Sequence, residues 1–345
     1  MKAKILTLTV MVAALMLAGC SKATDNNLPR KKATDAQAEA FDKWFQAEEE
    51  AGQTIHSAMV VQHGNVILER WIEPNAPDSA HIMHSVSKTF TSMAIGFAID
   101  EGLITLDDHL VNFFPDKLPA EVGDNLNAIT VRDLLTMSCG HDPEHTDEIR
   151  HGEDEDWVAH FLSFPVEYEP GTHFCYNTIG TYMLSAIITR VTGQKMVDYL
   201  QPRLWEPLGI ETPYWKECPR GINYGGWGLY IKTEDMAKLG QTMLDGGKWQ
   251  GRQVIPADWV AEASKAQIDN RPENYDPEND PNPDWHQGYC YQMWRCRHNA
   301  FRADGAYGQY IIVIPDKDAV VAITAEVRNM QTELALVWDY LLPVL

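Results

Sequence analysis

Segments with the pattern of β-strands lie near both ends of this chain, and a long block with the pattern of helices separates them. Residues 58–61 and 66–68 form one Val- and Ile-rich pair around a short turn, and 307–314 and 319–324 form another. Such pairs are typical of β-hairpins. The two hairpins are predicted to meet in one antiparallel sheet covered by helices, with 105–265 as an inserted helical lobe. This is an α+β architecture.

The helices are predicted from apolar residues that recur every three or four positions. Thr34 and Gln37 have the spacing of a capping box at the start of the first helix. A last helix is predicted over 330–341. The helices predicted in between cover 86–101, 131–137, 157–162, 178–191, 196–204, 234–244 and 257–264.

Ser85 and Lys88 form a Ser-x-x-Lys pair at the start of the predicted helix 86–101. Helical spacing brings Lys88 to the same face as Ser85, one turn further along. A serine hydroxyl needs a neighbouring base to become a nucleophile. A lysine in a partly apolar pocket can serve, because burial lowers its pKa. Taken alone, the pair is equally consistent with a helix N-cap serine and a solvated lysine.

Tyr176 precedes the predicted helix 178–191 and is placed on a loop, where a phenol can face a cleft. A phenolate beside Lys88 is a candidate general base for Ser85, since opposite charges favour each other's ionised forms. The alternative is a tyrosine packed in the core.

Several ordered segments resemble the serine β-lactamase and penicillin-binding protein superfamily, in the class C-like branch with its DD-peptidases and esterases. The resemblance covers about 55–342. Its landmarks are the nucleophile motif at 85–91, two segments at 103–108 and 129–136, the tyrosine-containing second motif at 170–180, a substrate-lobe segment at 226–229 and the third motif at 305–309.

The resemblance implies a β-lactamase/transpeptidase-like fold and a serine hydrolase that acts through a covalent acyl-enzyme. Ser85 would be the nucleophile, with Lys88 and Tyr176 moving its proton. The backbone N–H groups of Ser85 and Ala306 would form the oxyanion hole. The implied substrate is a small-molecule ester, an amide or a peptide, and no cofactor or metal is implied. The implied substrate-binding residues are Thr178, Asn177, Asp304 and Gly305.

Two departures from the family pattern affect the expected substrate. Thr178 occupies the place of an asparagine in the second motif, and Ala303 occupies the place of a lysine or histidine in the third. Arg302 is adjacent, but on a strand its side chain points to the opposite face. Without a cation to receive a carboxylate, neutral esters or amides are favoured. The alternatives are a β-lactamase or D-Ala-D-Ala carboxypeptidase, and a non-catalytic binder of cell-wall fragments.

The N-terminus has the features of a processed leader. A basic start and an apolar run are followed by Leu-Ala-Gly-Cys, which resembles a bacterial lipoprotein signal that ends at residue 19, with Cys20 lipidated. The polar stretch 20–34 is predicted to be a flexible tether, and 35–345 to be the hydrolase domain. The expected location is the bacterial cell envelope, with the domain anchored to the membrane by its lipid and facing the periplasm or the exterior.

The composition excludes some partners. The chain has 28 Lys and Arg against 49 Asp and Glu, with a formal net charge of −21. This charge argues against nucleic acid as a partner. An acidic, histidine-bearing stretch at 141–154 has spacing too irregular for a metal site. Nothing in the sequence indicates an oligomeric state.

Overall fold

A computed structural model describes residues 26–152 and 155–345. Its helices agree with the predicted ones to within a few residues at most ends. After the first helix, the two longest are the helix that follows Ser85 and the helix that follows Tyr176. The helices are α1 (Asp35–Glu50), α2 (Ser87–Asp100), α3 (Leu110–Phe113), α4 (Asp124–Ala128), α5 (Val131–Leu135), α6 (Thr146–His151), α7 (Trp157–Ser163), α8 (Thr178–Thr192), α9 (Met196–Tyr199), α10 (Glu206–Leu208), α11 (Thr233–Leu244), α12 (Ala257–Ala263) and α13 (Met330–Leu336).

The predicted meeting of the two ends of the chain in one antiparallel sheet is confirmed. Six strands follow the order β2-β1-β11-β10-β9-β8, and a separate sheet has the order β3-β5-β4. The strands are β1 (Thr54–Gln62), β2 (Asn65–Trp71), β3 (His81–Ile82), β4 (Tyr214–Trp215), β5 (Leu229–Ile231), β6 (Lys248–Trp249), β7 (Arg252–Gln253), β8 (Trp294–Arg295), β9 (Phe301–Gly305), β10 (Gln309–Ile314) and β11 (Ala319–Glu326).

Helices cover both faces of the six-stranded sheet. Alternate residues of a strand point to opposite faces, so Ile311 packs with α2, α8 and α11 while Tyr310 packs with α1 and α13. The α1 helix begins with the predicted capping box, in which Thr34 and Gln37 bond each other's backbone N–H groups. The predicted α+β fold, with a helical lobe inserted between the strands, is therefore confirmed.

The third-motif segment differs from its prediction as one strand over 307–314. The structure has two strands, β9 and β10, with a turn at 306–308 between them. Tyr307 in that turn has a φ of 65°, which is uncommon for a residue other than glycine. β9 is only five residues long and alternates two charged residues with Phe301 and Ala303, so it lacks the Val- and Ile-rich pattern from which the other strands were predicted.

The predicted boundary between tether and domain at residue 34 is too late. Leu28 is buried, and the chain at Arg30 runs parallel to β2. The Arg30 guanidinium donates hydrogen bonds to the carboxylates of Glu69 and Glu234. These contacts hold 28–31 against the domain. The predicted leader 1–19, Cys20 and the first residues of the predicted tether lie outside the described residues. Within the described ranges, no helix is both long enough and apolar enough to cross a membrane.

Candidate active site

Ser85 lies in the middle of a short 3₁₀ turn, His84–Val86, that leads directly into α2. Every residue of α2 from Ser87 to Ala98 is buried, so the predicted amphipathic helix is in fact central to the core. His84 has a φ of 44°, a left-handed conformation that non-glycine residues adopt rarely and that concentrates at functional sites. A rigid helix and a sharp turn therefore fix the position of the Ser85 hydroxyl.

The structure brings Lys88 to Ser85. The Lys88 Nζ lies 2.9 Å from the Ser85 Oγ, 3.1 Å from the Thr178 Oγ1 and 2.9 Å from the Gly226 carbonyl oxygen. The side chain is fully buried, and burial lowers its pKa to about 7, although the negative charges of Glu144 and Asp304 oppose this. A large share of the lysine is thus an uncharged amine near neutral pH.

Tyr176 faces the same pair, as its motif predicts. The Ser85 hydroxyl lies close enough to the Tyr176 phenol to oppose the effect of burial on its pKa, and the Lys88 Nζ lies 4.8 Å from the centre of the Tyr176 ring. The ring stacks on Trp294, with centroids 5.5 Å apart. Burial raises the pKa of Tyr176 above its usual value of 10. The predicted phenolate is therefore disfavoured, because burial penalises the charged form of the phenol.

Two backbone N–H groups next to the serine are free to bind an oxyanion. Within the described part of the chain, the N–H groups of Ser85 and Ala306 have no hydrogen-bond acceptor. The Gln309 side chain fixes the turn that carries Ala306. Its Nε2 donates to the carbonyl oxygens of Ala306 and Tyr307, both at 3.2 Å, and to that of Ala325 at 2.7 Å.

Gly305 has a packing role rather than the predicted role in substrate binding. A Cβ at this position would lie 2.4 Å from the Met83 carbonyl oxygen and 3.2 Å from the Val86 nitrogen. Real side chains do not approach this closely, so only glycine lets the end of β9 reach the nucleophile turn. This contact brings Ala306 beside Ser85.

Thr178 and Asn177, also predicted to bind substrate, have different contacts in the structure. Thr178 bonds Lys88, so it supports the base from the place of the family's asparagine. Asn177 is buried, and its Oδ1 accepts the Gly180 N–H at 2.8 Å. This is the N-cap of α8. The structure therefore shows a capping role for the buried Asn177 amide, and the predicted contact with substrate stays a prediction.

Asp304 forms an ion pair within its own strand. Its Oδ2 accepts a hydrogen bond from the Arg302 Nε at 2.8 Å, and Arg302 is buried while Asp304 is nearly so. The two residues are two apart on β9 and so share one face, opposite Ala303. The Arg302 guanidinium lies 4.3 Å from the centre of the Trp285 ring. The structure thus shows Asp304 bonded to Arg302, and its predicted contact with substrate stays a prediction.

The sequence did not reveal two groups that act on Lys88. The Gly226 carbonyl is a backbone acceptor 138 positions away, and residue type gives no signal for it. Glu144 belongs to the acidic stretch that was considered only for metal binding, and its charge acts on both Lys88 and Tyr176. No group of three or more metal-ligating side chains occurs among the described residues.

Residues 41–342 match the family model described as beta-lactamase. This chain belongs to the beta-lactamase family. The predicted membership of the β-lactamase/transpeptidase-like serine hydrolase superfamily is therefore confirmed.

The relatives of this beta-lactamase family member differ in their named activities. It is 26% identical over 298 residues to the 6-aminohexanoate-dimer hydrolase of Paenarthrobacter ureafaciens, with 79% of this chain and 73% of that one covered. It is 26% identical over 198 residues to the lovastatin esterase of Penicillium rubens, with 51% of this chain and 49% of that one covered. A solved penicillin-binding protein homolog from Caulobacter crescentus has the same fold, with a TM-score of 0.68, 16% identity and coverage of 90% and 99%.

Proposed function

We propose that this protein hydrolyses carboxylic esters or amides through a covalent Ser85 acyl-enzyme. The observation that carries the proposal is the buried Lys88 amine 2.9 Å from the Ser85 hydroxyl. An uncharged amine has one lone pair and two N–H groups. It can therefore accept the Ser85 proton while it donates to Thr178 and to the Gly226 carbonyl.

The steps follow from these contacts. The Ser85 oxygen attacks the substrate carbonyl carbon as its proton passes to Lys88, and the N–H groups of Ser85 and Ala306 bind the oxyanion. Tyr176, a neutral phenol, donates its proton to the leaving group and recovers one from the Lys88 ammonium. The C–O or C–N bond breaks, and the acyl group stays on Ser85. Water then attacks the ester, and the same groups move its proton in reverse.

The domain is further proposed to work in the cell envelope, held by a lipid on Cys20. The support is the sequence alone, in which Leu-Ala-Gly-Cys follows an apolar run. Intact-mass analysis of the protein from a bacterial membrane fraction tests this proposal. A diacylglycerol on Cys20 is expected, and an unmodified Cys20 in soluble protein would contradict it.

The catalytic proposal is tested by labelling and turnover. We expect a fluorophosphonate to add once to the protein, at Ser85, and Ser85→Ala to lower p-nitrophenyl ester hydrolysis at least about a thousandfold. Ser92→Ala is the matched control, since it removes a buried hydroxyl without a partner from the same helix. A labelled penicillin separates the alternatives. An adduct with penicillin would favour the penicillin-binding function, and no adduct with either reagent would leave a non-catalytic binder.

A further inference from the structure

Lys216 lies directly after β4, beside the segment 224–229 that contacts Lys88. Its backbone N–H donates to the Gly228 carbonyl at 3.0 Å, and its own carbonyl accepts the Tyr224 N–H at 2.9 Å. Both partners belong to the segment 224–229, whose Gly226 carbonyl accepts a hydrogen bond from Lys88. The same short segment thus holds Lys216 and the proposed base.

The segment 224–229 also contacts the nucleophile turn. Leu229, at the end of the segment, accepts a hydrogen bond from the Met83 N–H at 2.8 Å. His84 follows Met83 and immediately precedes Ser85. The positive charge of Lys216 lowers the pKa of His84, after burial and another histidine. Lys216 is therefore within electrostatic range of the residue next to the nucleophile.

Lys216 differs from every other lysine of comparable burial in the described ranges, because no acceptor binds its ammonium. It is partly buried, yet among residues 26–152 and 155–345 no carboxylate or carbonyl lies within hydrogen-bond or ion-pair distance of its ammonium. The other partly or fully buried lysines have acceptors. These pairs are Lys88 with Thr178 and the Gly226 carbonyl, Lys117 with Asp156, Lys232 with Asp78, Lys238 with Asp235, and Lys317 with the Leu345 carbonyl.

Packing restricts where the Lys216 side chain can lie. A Cβ on Gly228 would come within 2.9 Å of the Lys216 Cβ, so the lysine stem rests against the glycine backbone. Its Nζ lies 5.9 Å from the centre of the Tyr230 ring. An ammonium held over an aromatic surface and without an anion is ready to bind one. The protein as a whole has a net charge of −21, which repels anionic compounds unless a local cation offsets it.

We propose that Lys216 recognises a carboxylate on the substrate, so that the hydrolase prefers acyl compounds that carry a negative charge. The proposal rests on the function proposed above. Lys216 would supply the cation that Ala303 cannot provide, and it would do so from β4 and the segment 224–229. Lys216 is a specificity-determining residue in this account and takes no part in the proton transfers.

The test compares charged and neutral esters of matched size. Mono-p-nitrophenyl adipate is paired with p-nitrophenyl hexanoate, which places the carboxylate on the acyl group. The acetyl ester of 4-hydroxybenzoate is paired with its methyl ester, which places it on the leaving group. For at least one pair, Lys216→Gln is expected to lower kcat/KM of the charged ester about five- to tenfold, mainly through KM, and to leave the neutral ester unchanged.

Two further variants separate recognition from other effects. Lys216→Arg keeps the charge and is expected to retain most of the preference, which 0.5 M NaCl should weaken. Lys248→Gln removes an exposed lysine elsewhere and is expected to change neither ester. Equal effects of Lys216→Gln on charged and neutral esters, or no effect on either pair, would overturn the proposal while ester turnover continued. Absence of turnover and of a Ser85 adduct would instead overturn the proposed function.

Discussion

The pH dependence of Ser85 reactivity should report the ionisation of Lys88. Only the uncharged amine can accept the Ser85 proton, and burial lowers the pKa of Lys88 from 10.5 to about 7. This change corresponds to about 5 kcal/mol of lost stabilisation of the ammonium relative to the amine. With a pKa of about 7, about nine-tenths of the lysine is uncharged at pH 8, about one-tenth at pH 6 and about one-hundredth at pH 5.

The expected result is therefore a rate that rises with pH. The second-order rate constant for fluorophosphonate labelling, and kcat/KM for a neutral ester, should fall about tenfold from pH 8 to pH 6 and about tenfold again by pH 5. Both quantities report the free enzyme, so substrate binding does not displace the profile. A lysine with an ordinary pKa would give a rate that still rises steeply above pH 9.

The variant Glu144→Gln tests whether the pH dependence of Ser85 reactivity comes from Lys88. The Glu144 carboxylate raises the pKa of Lys88, so its removal should move the rising limb to lower pH. The amide keeps an acceptor for the Thr146 N–H, which Glu144 bonds at 3.0 Å. Glu148→Gln is the matched control, because that exposed carboxylate pairs with His145 instead. The reasoning is refuted by a profile that is flat between pH 5 and 8, or by one that moves with His84→Gln and not with Glu144→Gln.

Two further predictions concern stability. Burial raises the pKa of Glu48 to about 8, so the folded protein keeps a proton that the unfolded chain loses above about pH 4.5. Glu48 therefore lowers the free energy of unfolding of the wild type as the pH rises towards 8, by about 3 kcal/mol between pH 5 and pH 8. Urea titrations at these two pH values should show this decrease in the wild type and not in Glu48→Gln. Removal of the cap of α8 in Asn177→Ala should cost about 1 kcal/mol, with a smaller loss in Asn177→Ser, as measured by thermal unfolding. Fluorophosphonate labelling of both Asn177 variants should stay near the wild-type rate, and a loss of labelling would indicate a role in the site.

The sequence predicted those parts of the site that depend on local spacing. Ser85 and Lys88 are three residues apart on one helix start, so the fold of α2 alone brings them together. Tyr176 and Ala306 are distant in sequence, and only the resemblance to known motifs located them. The resemblance also included the segment 226–229, but it did not predict the contact of Gly226 with Lys88, because that contact is made by a backbone carbonyl. Gln309 lies within the third motif, but its role in fixing the turn at Ala306 depends on a contact with β11.

The errors in the predicted fold share one physical origin. Polar residues normally indicate surface, yet Arg302 and Asp304 are buried together as an ion pair on β9. Arg30 similarly belongs to a polar stretch, and it is held to the domain by carboxylates from β2 and α11. The partners of Arg30 are distant in sequence, and the partner of Arg302 lies beside it only because both residues are on one face of a strand. Single-sequence patterns contain no information about such partners.

Burial also determines the direction in which protons move in the site. Desolvation penalises an ammonium and a phenolate alike, so it lowers the pKa of Lys88 and raises that of Tyr176. An ion pair of phenolate and ammonium would place two charges where the site favours none. The resting state is then an amine beside a phenol, in which the amine can only accept a proton and the phenol can only donate one. The Ser85 hydroxyl bonds Lys88 and lies beside Tyr176, so we expect its proton to pass to Lys88 and the leaving group to be protonated from Tyr176.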